Sequence, residues 1–183
     1  MGRSTGAAAE VVLSDGVVTL RPWRPEDAAA VFEACQDPEI GRHTYIPQPY
    51  ELAHAEGFIA MCLEAAATGS TAAGFAIVDA DTDRVLGSMS RPPLDGHRAS
   101  FGYWLAPWAR GRGVATRALR LMVDWTIATT DAIRLELYTD TDNPASGMVA
   151  ERAGFVREGI RRAWDIGRDG KPIDVIFYAR VRQ

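Results

Sequence analysis

The chain is poor in residues that bind metals or carry redox chemistry. Its 183 residues include two cysteines, Cys35 and Cys62, and three histidines, His43, His54 and His97. The cysteines lie in two separate helix-like stretches with no CxxC pair, which excludes a disulfide framework and a thiol-redox motif. The histidines show no HExxH or comparable ligand spacing, so no metal site is expected. No apolar run approaches the roughly 18 residues of a membrane span, so no membrane partner is expected. Basic residues are in deficit, 20 Lys and Arg against 24 Asp and Glu, for a net charge of −4. A nucleic-acid-binding domain usually carries the opposite balance. A mild acidic excess leaves room for a cationic substrate. The opening stretch MGRSTGAAAEVVLSDG has no apolar core or cleavage signature of a signal peptide, which makes the cytoplasm the expected compartment. Residues 1–14 read as a flexible lead-in and 15–183 as a single domain. A chain this long buries about 70% of its unfolded surface, enough to fold without disulfide or metal.

What is present is an alternation of strand and helix patterns. Val17–Trp23 (VVTLRPW) reads as a strand. Pro25-Glu26-Asp27 opens a helix with stripe Ala30, Val31, Ala34 and Cys35, stopped by Pro38. Residues 38–50 (PEIGRHTYIPQPY) read as a decorated loop. A helix over Leu52–Ala67 follows, with Phe58, Met61, Cys62 and Ala65 on one side and Gly69 at its end. Gly74–Ala80 and Val85–Met89 form a hairpin across DADTDR, and Arg98–Ala106 is another strand. A glycine-rich turn leads into a helix over Val114–Thr129. Its stripe is Ala115, Ala118, Leu119, Met122, Trp125 and Thr126. A strand at Ile133–Tyr138, a short helix at Ala145–Ala153, and strands at Phe155–Arg162 and Pro172–Val181 complete the chain. The order β-α-α-β-β-β-α-β-α-β-β predicts a mixed α/β fold. Its central sheet has about seven strands, mostly antiparallel, with helices on both faces.

Chemistry is legible at one place, the strand–turn–helix SFGYWLAPWARGRGVATRALRLMVDWTI. Gly111 and Gly113 let backbone approach a ligand closely. The helix that follows offers unpaired N–H groups and the positive end of its dipole. Together they make a cradle for a phosphate or pyrophosphate. Arg110, Arg112 and Arg117 add charge, and read as a local positive patch or as solvated arginines of a tight turn. The P-loop string GxxxxGK[ST] is absent, and the dinucleotide string GxGxxG lacks its third glycine at Thr116.

The run Arg110-x-x-Gly113-x-Ala115 resembles the [Q/R]xxGx[G/A] motif of the GNAT superfamily of acyl-CoA-dependent N-acetyltransferases. Further segments resemble the family in order: GYWLAP at Gly102–Pro107, RLEL at Arg134–Leu137, Asn143-Pro-Ala-Ser146, and Ala153-Gly154-Phe155. The opening LRPWRPEDAAAVFEACQDPEI and the closing DGKPIDVIFYAR are similar to the Rim type, which acetylates ribosomal-protein N-termini.

The resemblance implies acetyl-CoA as cofactor and a primary amine as acceptor, either a protein N-terminus or a small molecule, by direct attack in a ternary complex. It allows a homodimer. The alternative is a CoA-binding module without catalysis. The backbone of Trp104, Leu105 and Ala106 is implied to pair with the pantetheine arm. The backbone of Arg110, Gly111, Arg112, Gly113, Val114, Ala115 and Thr116 is implied to hold the pyrophosphate. Asn143 matches the asparagine that contacts the arm, or is a helix N-cap. Ser146 matches a serine placed near the CoA sulfur, or is a plain first-turn serine. A tyrosine used by many relatives falls at Ala150 and is absent. Glu136 matches a proposed base; alternation puts it on one face with Arg134 and Tyr138, where a salt bridge to Arg134 is the other reading. His43 and Asp140 are further candidates. The acceptor site is expected between the 38–50 loop and the last two strands. Tyr45, Tyr50, Trp104 and Trp164 are its candidate walls. Trp23, Trp108 and Trp125 read as packing.

Overall fold

In a computed structural model, described over residues 11–68 and 72–182, nine strands form two sheets. β1 (Leu13–Ser14), β2 (Val18–Arg21), β3 (Ala73–Asp79), β4 (Val85–Arg91) and β6 (Gly102–Leu105) make one antiparallel sheet in the order β1-β2-β3-β4-β6. β5 (Arg98–Ser100), β7 (Arg134–Asp140), β9 (Pro172–Val181) and β8 (Val156–Ile166) make the other, ordered β5-β7-β9-β8. The expected fold class holds, with two refinements. Leu13 and Ser14 pair with Leu20 and Thr19, so ordered structure begins inside the stretch read as a flexible lead-in. The segment expected as one strand over Arg98–Ala106 is two, and they belong to different sheets.

That division opens the molecule. β5 runs parallel to β7, with Ser100 opposite Glu136, and Phe101 donates its N–H to the Glu136 carbonyl at 3.0 Å. One residue later the chain swings to β4, pairing Gly102 with Ser90 and Leu105 with Gly87. Gly102 suits the swing, since a Cβ there would stand 3.3 Å from Ser90 Oγ. Beyond Phe101, β6 and β7 therefore diverge, leaving a split between the two sheets.

The helices are α1 (Ala28–Ala34), α2 (Pro38–His43), α3 (Leu52–Ala67), α4 (Val114–Thr129) and α5 (Pro144–Arg152). Two cores lie on opposite faces. α4 and α5 cover one, built on Leu20, Phe75, Leu119, Met122, Leu135 and Phe155. α1 and α3 cover the other, built on Trp23, Val31, Ile40, Tyr50 and Ile59. The buried side of α3 is Ala55 and Ile59 with Phe58 and Cys62 half-buried, whereas Met61, expected on that side, is 61% exposed. Gly69 lies outside the described residues. Asp27 is the first-turn acid expected, its carboxylate accepting the Arg24 N–H at 2.9 Å, and it is also buried in an ion pair with Arg21 at 2.8 Å. The loop expected from residue 38 begins as a helix. Asp37 accepts hydrogen bonds from the N–H groups of Glu39 and Ile40, and Pro38 takes the first helical position, where its missing N–H costs nothing.

Candidate active site

The glycine-rich turn stands at the mouth of the split. Gly111 and Gly113 adopt φ of +73° and +75°, a region that disfavours any residue with a Cβ. Gly113 caps α4, and the first helical hydrogen bond runs from Arg117 N–H to the Gly113 carbonyl. The N–H groups of Val114, Ala115 and Thr116 therefore have no helical acceptor. A Cβ built on either glycine meets nothing within 4 Å, so the space beside the two glycines is open. The arrangement fits a pyrophosphate held by backbone.

The arginines are arranged differently from the expected positive patch. Arg110 pairs with Asp37 at 2.9 Å, Arg117 with Asp15 at 2.7 Å, and Arg112 lies 3.8 Å from Asp79. Each cation is matched by an aspartate. The Arg110 hydrogen bond holds the Asp37 carboxyl below the usual carboxylate range. Arg110 also reaches the Leu105 carbonyl at 3.3 Å, which ties the turn to β6 and to the start of α2. What remains to attract an anion is the amide array and the helix dipole.

The edge of β6 that faces the split can be read from its hydrogen bonds. Ala106 donates to the Leu86 carbonyl at 2.9 Å, on the β4 side, and its own carbonyl accepts from Ala109. Phe101 donates toward β7. Alternation along an antiparallel strand puts Trp104 with Ala106 and puts Tyr103 and Leu105 with Phe101. The groups facing the split are thus those of Tyr103 and Leu105. Trp104 and Ala106, expected to pair with the cofactor arm, turn theirs toward β4.

Across the split, α5 begins at Asn143. Its Oδ1 accepts from the Ser146 N–H at 3.2 Å, so the N-cap reading of Asn143 is realised. Ser146 Oγ lies 2.8 Å from the hydroxyl of Tyr103, which reaches over from β6. Burial pushes the Tyr103 phenol up to about 12. Tyr103 had no part in the sequence reading beyond the GYWLAP string. Strand alternation could have aimed its side chain at the α4–α5 face, but not at Ser146.

Glu136 sits at the apex of the split, with its carboxylate 2.7 Å from Arg134 Nε. Arg134 in turn grips Glu158 with two hydrogen bonds, at 3.0 and 2.6 Å. The salt-bridge reading of Glu136 is therefore realised. His43 lies in α2 on the face opposite α4 and α5, with Nδ1 2.7 Å from Asp140 Oδ2. Nε2 is 3.7 Å from Glu39. Arg168, in the β8–β9 turn, donates to the carbonyls of Gly41 at 2.8 Å, Thr44 at 3.0 Å and Ile46. Tyr45 hydrogen-bonds Asp165 and is 77% exposed. Trp164 is 46% exposed and packs on Tyr138 and Phe177, under the guanidinium of Arg161. The structure thus brings together the 38–50 segment and the last two strands. Tyr50 is different: it is buried in the α1–α3 core beside Cys35. Trp104, half-buried, packs against the same core. Trp23 and Trp125 pack as expected, and Trp108 does so while donating to the Val85 carbonyl at 3.0 Å.

A split sheet with an amide cradle at its mouth agrees with comparison to known proteins. The acetyltransferase (GNAT) domain family matches residues 18–156. The chain belongs to the GNAT acetyltransferase family. It is an acyl-CoA-dependent N-acetyltransferase, which transfers an acetyl group from acetyl-CoA to an amine. The uncharacterised N-acetyltransferase p20 of Bacillus licheniformis is 26% identical over 168 residues, 91% of this chain and 93% of that protein. The ribosomal-protein-serine acetyltransferase of Escherichia coli is 32% identical over 101 residues, 54% of this chain and 56% of that protein. Among solved structures, RimL, a ribosomal L7/L12 alpha-N-protein acetyltransferase in complex with coenzyme A, superposes with a TM-score of 0.82 at 20% identity. The match covers 93% of this chain and 98% of that one. No helix among the described residues is long and apolar enough to cross a membrane.

Proposed function

We propose that the acceptor of this acetyltransferase is the N-terminal amine of a protein. The observation that carries this reading is the open face beside the split. α2 with the segment after it and the β8–β9 hairpin are held together there by Arg168, and they present Tyr45 and Trp164 to solvent. An open aromatic face flanked by Asp140 and Asp165 suits the charged end of a polypeptide better than a small molecule that needs enclosure. The similarity to a ribosomal-protein-serine acetyltransferase points the same way.

Acetyl-CoA brings the acetyl group as a thioester already activated toward an amine. In this reading the amides of Gly111–Thr116 hold its pyrophosphate, and the split-facing edge of Tyr103 and Leu105 pairs with the pantetheine arm. With Asn143 Oδ1 spent on the cap, its NH2 group is the part that serves the arm. Ser146 donates its hydroxyl to the sulfur. Because Arg134 engages Glu136, we assign the base to His43. With Nδ1–H donated to Asp140, the lone pair on Nε2 is left to take the amine proton.

A thiol-release assay with acetyl-CoA tests this on peptides with different first residues, alongside polyamines and aminoglycosides. CoA release with peptides that stops when their N-terminus is blocked is the expected result. Release with small amines alone overturns the acceptor assignment. Thermal stabilisation by acetyl-CoA with no release on any amine marks a binding module instead. A second copy of the chain is a further proposed partner, tested by light scattering.

A further inference from the structure

The contact between Tyr103 and Ser146 is a bridge across the split. Tyr103 is rooted in β6, on one sheet. Ser146 is in the first turn of α5, which packs on β7 and β9 of the other. The two hydroxyl oxygens are 2.8 Å apart, and the phenol also lies 3.3 Å from the Ser146 carbonyl. Both ends are held firmly. The Tyr103 ring packs against the α4–α5 core. Next to Ser146, Gly147 is pressed so close to β9 that a Cβ there would stand 2.6 Å from the Tyr178 hydroxyl. Neither hydroxyl can drift far from the other.

A serine hydroxyl has one proton and two lone pairs. Alone, its proton swings among neighbouring acceptors, and a first-turn serine readily turns it to nearby backbone. A phenol donating into Oγ occupies a lone pair and leaves the serine proton free to point elsewhere. Donation into Oγ also polarises the serine O–H and strengthens it as a donor. Burial raises the Tyr103 phenol to about 12, so it keeps its proton through the working pH range.

We propose that Tyr103 is a positioning residue, which donates to Ser146 Oγ and thereby aims the Ser146 hydroxyl at the sulfur of coenzyme A. This deepens the assignment of Ser146 and rests on it. When the C–S bond breaks, its electron pair stays on sulfur, and the Ser146 O–H stabilises that charge by hydrogen bonding. Neither hydroxyl is consumed: the proton that the amine gives up on becoming an amide goes to His43 Nε2, and the departing thiolate takes its proton from solvent.

The test needs no acceptor. The thiol of bound CoA is titrated by its thiolate absorbance in the full chain, against the same protein holding desulfo-CoA. The desulfo-CoA reference cancels the absorbance of Cys35 and Cys62, whose thiols burial pushes up to about 11. A donor aimed at the sulfur favours the charged form and lowers its pKa, here by about one unit relative to free CoA. Wild type should show that depression and Ser146→Ala should abolish it. Tyr103→Phe should lose about half of it. The double variant should match Ser146→Ala alone. If the wild-type thiol titrates like free CoA, Ser146 is no donor, and its assignment falls together with the inference. If wild type is depressed and Tyr103→Phe titrates identically to it, the inference alone falls. It also falls if Tyr103→Phe shifts the titration further in the Ser146→Ala background.

Discussion

The two sides of the split are made of different material. The side assigned to the cofactor is built from backbone: two glycines at positive φ, the free amides of α4, and the edge of β6 that turns away from β4. The side assigned to the acceptor is built from side chains far apart in sequence, with Arg168 reaching Gly41 and His43 reaching Asp140. A backbone site tolerates almost any side chain provided the chain can take the required dihedrals. A side-chain site tolerates little, and each contact can be removed singly.

Gly113→Val presses hardest on that contrast. A β-branched residue at φ +75° is strained by about 1–2 kcal/mol and disorganises the cradle. Affinity for CoA by calorimetry should fall more than about 100-fold, while Arg112→Ala, which gives up only an exposed 3.8 Å pair, should stay within about threefold. Equal losses would mean that charge, not backbone, holds the anion. Next in size is His43→Gln. With a peptide acceptor, kcat should drop about 100-fold and acetyl-CoA affinity should hold. An unchanged kcat returns the base to Glu136 or to water. Arg168→Ala should be milder, raising the acceptor KM about tenfold and sparing the cofactor KM, because it frees α2 from the β8–β9 turn. A rise in both would show the two sides to be one mechanical unit.

The smallest effect tests the joint between the sides. Asp37 caps α2 and pairs with Arg110 at the glycine turn. Asp37→Asn keeps much of the cap and loses the ion pair, at a cost of about 1 kcal/mol in denaturant unfolding near neutral pH. The Asp37 carboxyl is held low in the folded state, mainly by Arg110. Its contribution is therefore present above the unfolded carboxylate value, near 3.9, and is lost as pH falls through the lower folded one. Wild type and variant should converge only in that acid window. A gap that persists unchanged at lower pH would show that the charge on Asp37 contributes nothing.

The same contrast sets how much could be read in advance. Leu52–Ala67, Val114–Thr129 and Pro172–Val181 have the bounds expected from periodicity and turn residues. These signals are local, and so is the glycine loop. α2 was missed because the Asp37-Pro38 pair ends one helix and starts the next, and six residues carry too little periodicity to show it. The split at Phe101 was missed because a strand pattern does not say which neighbour each half pairs with. Glu136 was placed on the correct face, but its engagement by Arg134 depended on rotamers.

By itself, then, the sequence determined the order of the longer elements, the family, and a loop whose positive-φ turns favour glycine, since these rest on local backbone preference and periodicity. The tertiary structure alone decided that the three arginines of that loop are each matched by an aspartate. It alone decided that Tyr103 and Leu105 face the split, and that the Tyr103 hydroxyl meets Ser146 from 43 residues away. Such pairings depend on where distant segments come to rest, and no local preference records that.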